Sequence, residues 1–203
     1  METLLLNGWS EEDVERAAKL LRDGAVVAFP TETVYGLGAR ADREEAVERV
    51  YEVKKRPREK KAALLVTGLE TARKYAAPLG EAAERLAQRF WPGPLTLVVP
   101  GREGEDYVGL RCPDCDVTLR MLELADVPVI APSANLTGKS PAQTAQGVLE
   151  IFEGKIAGVL DGGRAELGVA STVVQVSPQG VEILREGALS YDEIAEVAGR
   201  ERG

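Results

Sequence analysis

The chain has 203 residues, 44% of them hydrophobic and 29% charged, with a formal net charge of −8. This is globular composition with enough apolar mass for a sizeable core; it excludes a disordered chain, and no stretch approaches the roughly 18 apolar residues of a membrane helix. Histidine is absent, which excludes Ser-His-Asp and Cys-His nucleophiles, histidine-ligated zinc and every imidazole acid or base.

What remains is carboxylate or lysine chemistry, or catalysis by positioning and charge. Nucleotidyl transfer fits the last best, because the protein then has little covalent work to do. The acidic balance argues against a generic nucleic-acid binder, whose affinity rests on neutralising phosphates. Two cysteines make no disulfide scaffold and point to the reducing cytosol. Met1-Glu2-Thr3-Leu4 has no basic region ahead of its short apolar run, unlike a secretory signal.

Ser10-Glu11-Glu12-Asp13 reads as a capping box. It opens a helix with Val14, Ala17, Ala18 and Leu21 at helical spacing, and Gly24 closes it. Ala25–Phe29 reads as a short strand stopped by Pro30, and Thr31–Gly38 as a polar, glycine-containing loop. Asp42 and Glu45 start a second helix with Ala46, Val47, Val50 and Tyr51 on one face. It runs into Lys54, Lys55, Arg56, Arg58, Lys60 and Lys61, six cations in eight positions. Leu64–Val66 reads as a buried strand, followed by helices near 70–76 and 79–90. Trp91-Pro92-Gly93-Pro94 then breaks the chain before a strand at Leu95–Val99. A loop over 101–106 leads to a strand at Val108–Arg111, a helix at Val117–Ala125 and a strand at Val129–Ala131. After a loop to Pro141 come a helix near 144–153 and strands near 157–160, 171–176 and 181–184. Ser190-Tyr191-Asp192-Glu193 is a second capping box, opening a last helix, and residues 199–203 are expected to fray. This order predicts one α/β domain over residues 1–203, on a mixed, twisted sheet rather than a regular doubly wound one.

Single motifs carry little by themselves. Gly138-Lys139-Ser140 resembles the tail of a phosphate-binding loop, but Ser133 stands where that loop needs its first glycine. Its hydroxyls and amide nevertheless follow a strand's C-terminal edge, where α/β ligand sites gather. Gly36-Leu37-Gly38 fails as a dinucleotide fingerprint because position 41 is alanine. Pro30-Thr31-Glu32-Thr33 flanks a carboxylate with two hydroxyls; alone, it reads as a locally capped turn. Cations at a helix end complement its dipole, but six exceed that need and suggest an anion of several charges, such as a triphosphate. Cys112-Pro113-Asp114-Cys115 lacks the further ligands zinc would require and reads as two incidental thiols. Asp161-Gly162-Gly163 is a turn with one carboxylate, and Trp91 is expected to pack rather than stack on a base.

Together these segments are far more specific. In order, Phe29-Pro30-Thr31-Glu32-Thr33-Val34-Tyr35-Gly36-Leu37-Gly38, Lys54-Lys55-Arg56-Pro57, Trp91-Pro92-Gly93-Pro94-Leu95-Thr96 and Leu110-Arg111-Cys112-Pro113 come first. Ala131-Pro132-Ser133-Ala134-Asn135, Asp161-Gly162-Gly163, Ser171-Thr172-Val173 and Leu184-Arg185 follow. The set resembles the YrdC-like family, the threonylcarbamoyl-AMP synthases, in its short single-domain form, over about residues 10 to 198.

The resemblance implies a twisted mixed sheet with a concave basic cleft, and a nucleotidyltransferase reaction. The amine of L-threonine captures bicarbonate-derived CO2 as a carbamate. The carbamate oxygen attacks the α-phosphate of ATP, and pyrophosphate leaves. The product feeds the threonylcarbamoyl modification of a tRNA adenosine. The resemblance further implies Lys54 and Arg56 as catalytic cations. It places ATP on Arg56, Lys60, Ser133, Asn135, Ser140 and Arg185, and L-threonine on Thr33, Arg111, the backbone of Ala131, and Ser171. The planar fork of Arg111 suits both oxygens of the amino acid's carboxylate. Mg2+ comes with the triphosphate and needs no dedicated protein ligands. A cytoplasmic setting and handover to a tRNA-threonylcarbamoyl transferase complex are implied, while direct tRNA binding stays open. The chain departs from many relatives at Lys60-Lys61 (Asn-Pro), at Leu65 and Cys115 (histidine), and at Glu186 (proline). Two other readings compete. One is an RNA-binding module without independent catalysis, which the charge of −8 disfavours. The other is a carbamoyl-transfer domain of a hydrogenase-maturation protein, which predicts appended acylphosphatase-like or zinc-finger segments.

Overall fold

The computed structural model describes residues 2–102 and 107–199. Most of the loop expected over 101–106, and residues 200–203 of the expected frayed end, lie outside the described residues. The first half of the chain holds β1 (Leu4–Asn7), α1 (Glu11–Arg22), β2 (Val27–Phe29), β3 (Gly36–Arg40), α2 (Glu44–Lys54), β4 (Leu64–Leu65), α3 (Leu69–Ala72), α4 (Glu81–Phe90) and β5 (Leu95–Val99). The second holds β6 (Val108–Arg111), α5 (Asp116–Ala125), β7 (Val129–Ile130), α6 (Ala145–Phe152), β8 (Gly158–Asp161), β9 (Thr172–Ser177), β10 (Gly180–Arg185) and α7 (Tyr191–Ala198). All ten strands join one sheet in the order β1-β8-β2-β3-β7-β4-β6-β5-β9-β10. β1–β8, β2–β8, β4–β6 and β5–β9 run parallel, and the other pairs run antiparallel. The expected mixed sheet is therefore observed. Among the described residues, no helix is long and apolar enough to cross a membrane.

Strand alternation divides the core. In β2, Val27 and Phe29 pack with α1 and α5, while Ala28 between them packs with α2 and α6; Leu160 and Val159 of β8 divide the same way. The period of two thus places these two clusters on opposite faces of the sheet. A third cluster fills the other end, where α4 and α7 cover β5, β6, β9 and β10. In α1 the buried residues are Val14, Ala17, Ala18 and Leu21, the predicted stripe. Burying Leu21, which is inaccessible to solvent, contributes about 2 kcal/mol.

Four differences from the sequence reading have physical causes. The box at Ser10 is only half formed. The Ser10 hydroxyl accepts from the Asp13 amide, but the Asp13 carboxylate takes the Asn7 N–H (2.8 Å), because the Ser10 N–H already donates to the Asn7 carbonyl (3.0 Å). Asp42 does not cap α2. Both its oxygens bind Arg40, and the N-cap is Arg43, which makes no side-chain capping bond. β1 was too short and irregular in pattern to be read as a strand. β3 was hidden by its glycines, which are there because the Phe29 ring lies across them: a Cβ on Gly38 would sit 2.3 Å from Phe29 Cε1. The second capping box, by contrast, forms completely: Ser190 accepts from the Glu193 amide, and the Glu193 carboxylate accepts the Ser190 N–H (2.8 Å).

Candidate active site

β2 ends at Phe29, and Pro30 turns the chain into a segment read from sequence as a polar loop. It is buried instead: Thr31, Glu32 and Thr33 are 4%, 8% and 0% exposed. Buried polar groups need partners, and these have them. The Thr31 hydroxyl donates to the Val34 carbonyl (2.5 Å) and meets the Thr33 hydroxyl at 2.8 Å. Glu32 accepts from Arg111 Nη2 at 2.9 Å and from the Asp114 amide at 3.1 Å. Arg111 Nη2 also donates to Thr33 Oγ1 at 2.7 Å. Arg111 Nε is buried without a partner, alone in this among the described side chains.

Leu65 is the register partner of Arg111 in the parallel β4–β6 pair, so both side chains leave the same face of the sheet. Leu65 is buried in the α1/α5 cluster. It lies beside the arginine as an apolar wall.

Opposite this corner, the segment 131–142 is stitched to β3. Leu37 donates to the Pro132 carbonyl (2.8 Å), Ala134 to the Tyr35 carbonyl (2.7 Å), and Tyr35 to the Ala142 carbonyl (2.9 Å). Beneath it lies Lys54, 1% exposed. Its ammonium donates to the carbonyls of Ser133 and Asn135 (2.7 Å for the latter) and to Asn135 Oδ1 (3.4 Å). Burial first, then the charge of Arg56, pull this amine down to about 8. Ser133 donates its hydroxyl to Asn135 Oδ1 (2.6 Å), and the Asn135 amide donates to the carbonyls of Leu136 and Lys139. Ser140 is exposed at the loop's far end.

The six cations are therefore not one surface patch. Lys54 points inward, and Arg58 pairs with Glu48. Arg56 braces the following turn by donating to the carbonyls of Lys60 (2.9 Å) and Lys61 (3.1 Å), with its guanidinium 5.9 Å from the centroid of the Tyr51 ring. Lys55, Lys60 and Lys61 are exposed.

The remaining predicted residues meet at β9 and β10. Arg185 Nη2 donates to the Ser171 carbonyl (2.7 Å) and to its hydroxyl (3.3 Å), and that hydroxyl lies 2.9 Å from Thr96 Oγ1. Partial burial lowers the Arg185 pKa, and the charges of Arg111 and Arg56 lower it further. The charges of Arg111 and Arg56, from distant parts of the sequence, thus both reach Arg185. Such like-charge convergence favours a polyanionic ligand.

Other motifs settle into structural roles. Tyr35 donates its hydroxyl to the Gly163 carbonyl (2.7 Å), and Asp161 accepts the Gly163 N–H (3.0 Å). Burial, then the Asp161 charge, push the Tyr35 phenol well above its usual range. Cys112 and Cys115 are free thiols, both raised chiefly by burial, Cys112 to about 11, which makes them poor nucleophiles. Trp91 packs on the core and donates its indole N–H to the Leu95 carbonyl (2.7 Å). Glu32, the buried partner of Arg111, has no role assigned from the sequence. Its signal was a carboxylate between two hydroxyls directly after a buried strand.

A family model described as Sua5_yciO_yrdC, telomere recombination, matches residues 19–187. Over 200 residues the chain is 43% identical to a threonylcarbamoyl-AMP synthase of Pyrococcus abyssi, covering 95% of this chain and 59% of the relative. It is 38% identical to one of Bacillus subtilis, covering 94% and 58%. The crystal structure of P. abyssi Sua5 complexed with L-threonine superposes with a TM-score of 0.91 at 41% identity, covering 98% of this chain and 61% of that one. The chain thus spans 59% and 58% of the length of these two curated relatives. On the breadth of the family match and on this identity, the chain belongs to the Sua5/YciO/YrdC family.

Proposed function

We propose that the chain is a nucleotidyltransferase that makes L-threonylcarbamoyl-adenylate from ATP, bicarbonate and L-threonine, releasing pyrophosphate. The observation that carries this reading is the buried corner in which Arg111 donates to Glu32 and Thr33, with Arg185 held on Ser171 within reach of the charges of Arg111 and Arg56. The names of the relatives support it, as does L-threonine in the P. abyssi structure.

ATP enters as its magnesium complex, so the metal belongs to the substrate and takes most of its ligands from the triphosphate. Arg56 and Lys60 face the phosphates, with Ser133, Asn135, Ser140 and Arg185 on the nucleotide. Thr33, Arg111, the backbone of Ala131, and Ser171 receive L-threonine. The carbamate oxygen displaces pyrophosphate at the α-phosphate, and no side chain acts as nucleophile. Alignment of the two substrates can supply roughly 7–11 kcal/mol of the barrier. The arginines stabilise charge growing on the leaving pyrophosphate. Lys54, expected as a catalytic cation, is bound to two carbonyls of the 133–135 segment, which supports a role in shaping the nucleotide loop from beneath. The single sheet running from Leu4 to Arg185 supports one YrdC-like domain across the described residues. A cytoplasmic setting suits the free thiols. The product then passes to a tRNA-threonylcarbamoyl transferase complex.

The test is pyrophosphate release from Mg–ATP and bicarbonate with each common amino acid in turn. Release that requires L-threonine and bicarbonate together is expected. Release with another amino acid keeps the chemistry and reassigns the pocket, beginning with Leu65. No amino-acid-dependent release from folded, ATP-binding protein would favour an RNA-binding module instead.

A further inference from the structure

The contacts of Glu32 do more than neutralise a buried arginine. One carboxylate oxygen accepts from Arg111 Nη2 (2.9 Å), and the other accepts from the backbone N–H of Asp114 (3.1 Å), three residues further on. A single side chain thus grips both the last residue of β6 and the turn leading into α5. Hydrogen-bond bookkeeping then fixes the rest. The Thr31 proton goes to the Val34 carbonyl, so Thr31 can only accept from Thr33, and the Thr33 proton is committed to it. Thr33 therefore faces Arg111 with lone pairs alone, and takes the second proton of Nη2 (2.7 Å).

Both protons of Nη2 are committed, one to a carboxylate and one to a hydroxyl. Arg111 is left with Nη1 and the buried, unpartnered Nε. The bidentate bite expected from the sequence, with Nη2 as one of its prongs, is not available in this arrangement.

We propose that Glu32 is the positioning residue of the amino-acid pocket. It holds the guanidinium plane of Arg111 so that the Nη1 edge meets the substrate carboxylate, beside a Thr33 that its bond to Thr31 keeps an acceptor. This rests on the reading that Arg111 receives L-threonine.

The test is Glu32→Gln, read as KM for L-threonine, KM and Kd for ATP, and kcat. The amide turns a donor toward either Arg111 or the Asp114 N–H, so one of the two contacts is lost. KM for L-threonine is expected to rise about tenfold or more, with both ATP constants within twofold of wild type. On an Arg111→Lys background the same change should add less than twofold, because an ammonium has no plane to orient. An unchanged threonine KM, or equal losses for threonine and ATP, would overturn the inference while wild-type threonine dependence keeps the functional reading. Loss of threonine dependence in the wild type itself would remove both. If Glu32→Gln no longer binds ATP, Glu32→Asp keeps the charge but withdraws it by one methylene. It should still raise the threonine KM with ATP binding retained. A second loss of ATP binding would make Glu32 a folding residue only.

Discussion

The cation run at positions 54–61 and the corner around Arg111 are both charged, yet they use charge in opposite ways. The run offers six cations within eight residues, and the fold disperses them: one beneath a loop, one to Glu48, one onto backbone carbonyls, the rest to solvent. The corner brings together two charges 79 residues apart and satisfies them almost completely. Density along the chain therefore says little about which charges can meet a ligand. Burial and the acceptors already in reach decide it, because an ammonium surrounded by carbonyls has no donor left to offer.

The largest expected effect tests the first half of this contrast. Lys54→Met leaves the carbonyls of Ser133 and Asn135 buried without their donor, at about 1–3 kcal/mol each. A loss of about 4 kcal/mol in urea unfolding is expected. A loss below about 1 kcal/mol would return Lys54 to the phosphates. Because burial holds the amine near 8 in the fold, the unfolded chain keeps its proton to higher pH. The wild type should accordingly gain stability over the variant as pH rises from 8 toward the ordinary lysine value. Next, Arg56→Ala should cut ATP-dependent pyrophosphate release roughly a hundredfold. The melting temperature should stay within a few degrees, since the side chain braces only a surface turn. Retained turnover would remove Arg56 from the site. The smallest effect belongs to Arg58→Ala. Its pair with Glu48 is 72% exposed on the arginine side, and such pairs contribute under about 1 kcal/mol. Stability and turnover should both stay close to wild type, and a large drop in turnover would show that the run acts as one patch after all.

Much of the architecture was legible along the chain. β5 and β6 fall at the predicted residues, and α1 buries its predicted stripe. β3 was not legible, because its two glycines signal a loop until the Phe29 ring is seen to occupy the space a side chain would need. The candidate site was named residue by residue through family resemblance alone. Its internal wiring was not legible: which proton Thr33 gives away, and which edge of Arg111 stays free, depend on groups brought together from loops far apart in sequence.

What the sequence determined by itself is the chemistry available. Without histidine, and with its arginines and hydroxyls in ordered motifs, the chain is suited to positioning and charge stabilisation rather than nucleophilic attack. Tertiary structure alone decided the direction of each group. Lys54 turns inward because the 133–135 carbonyls need donors, and Glu32 holds Arg111 because a buried carboxylate must be paired. Local pattern sets which residues are present; the demand that buried polar groups be satisfied sets what each one faces.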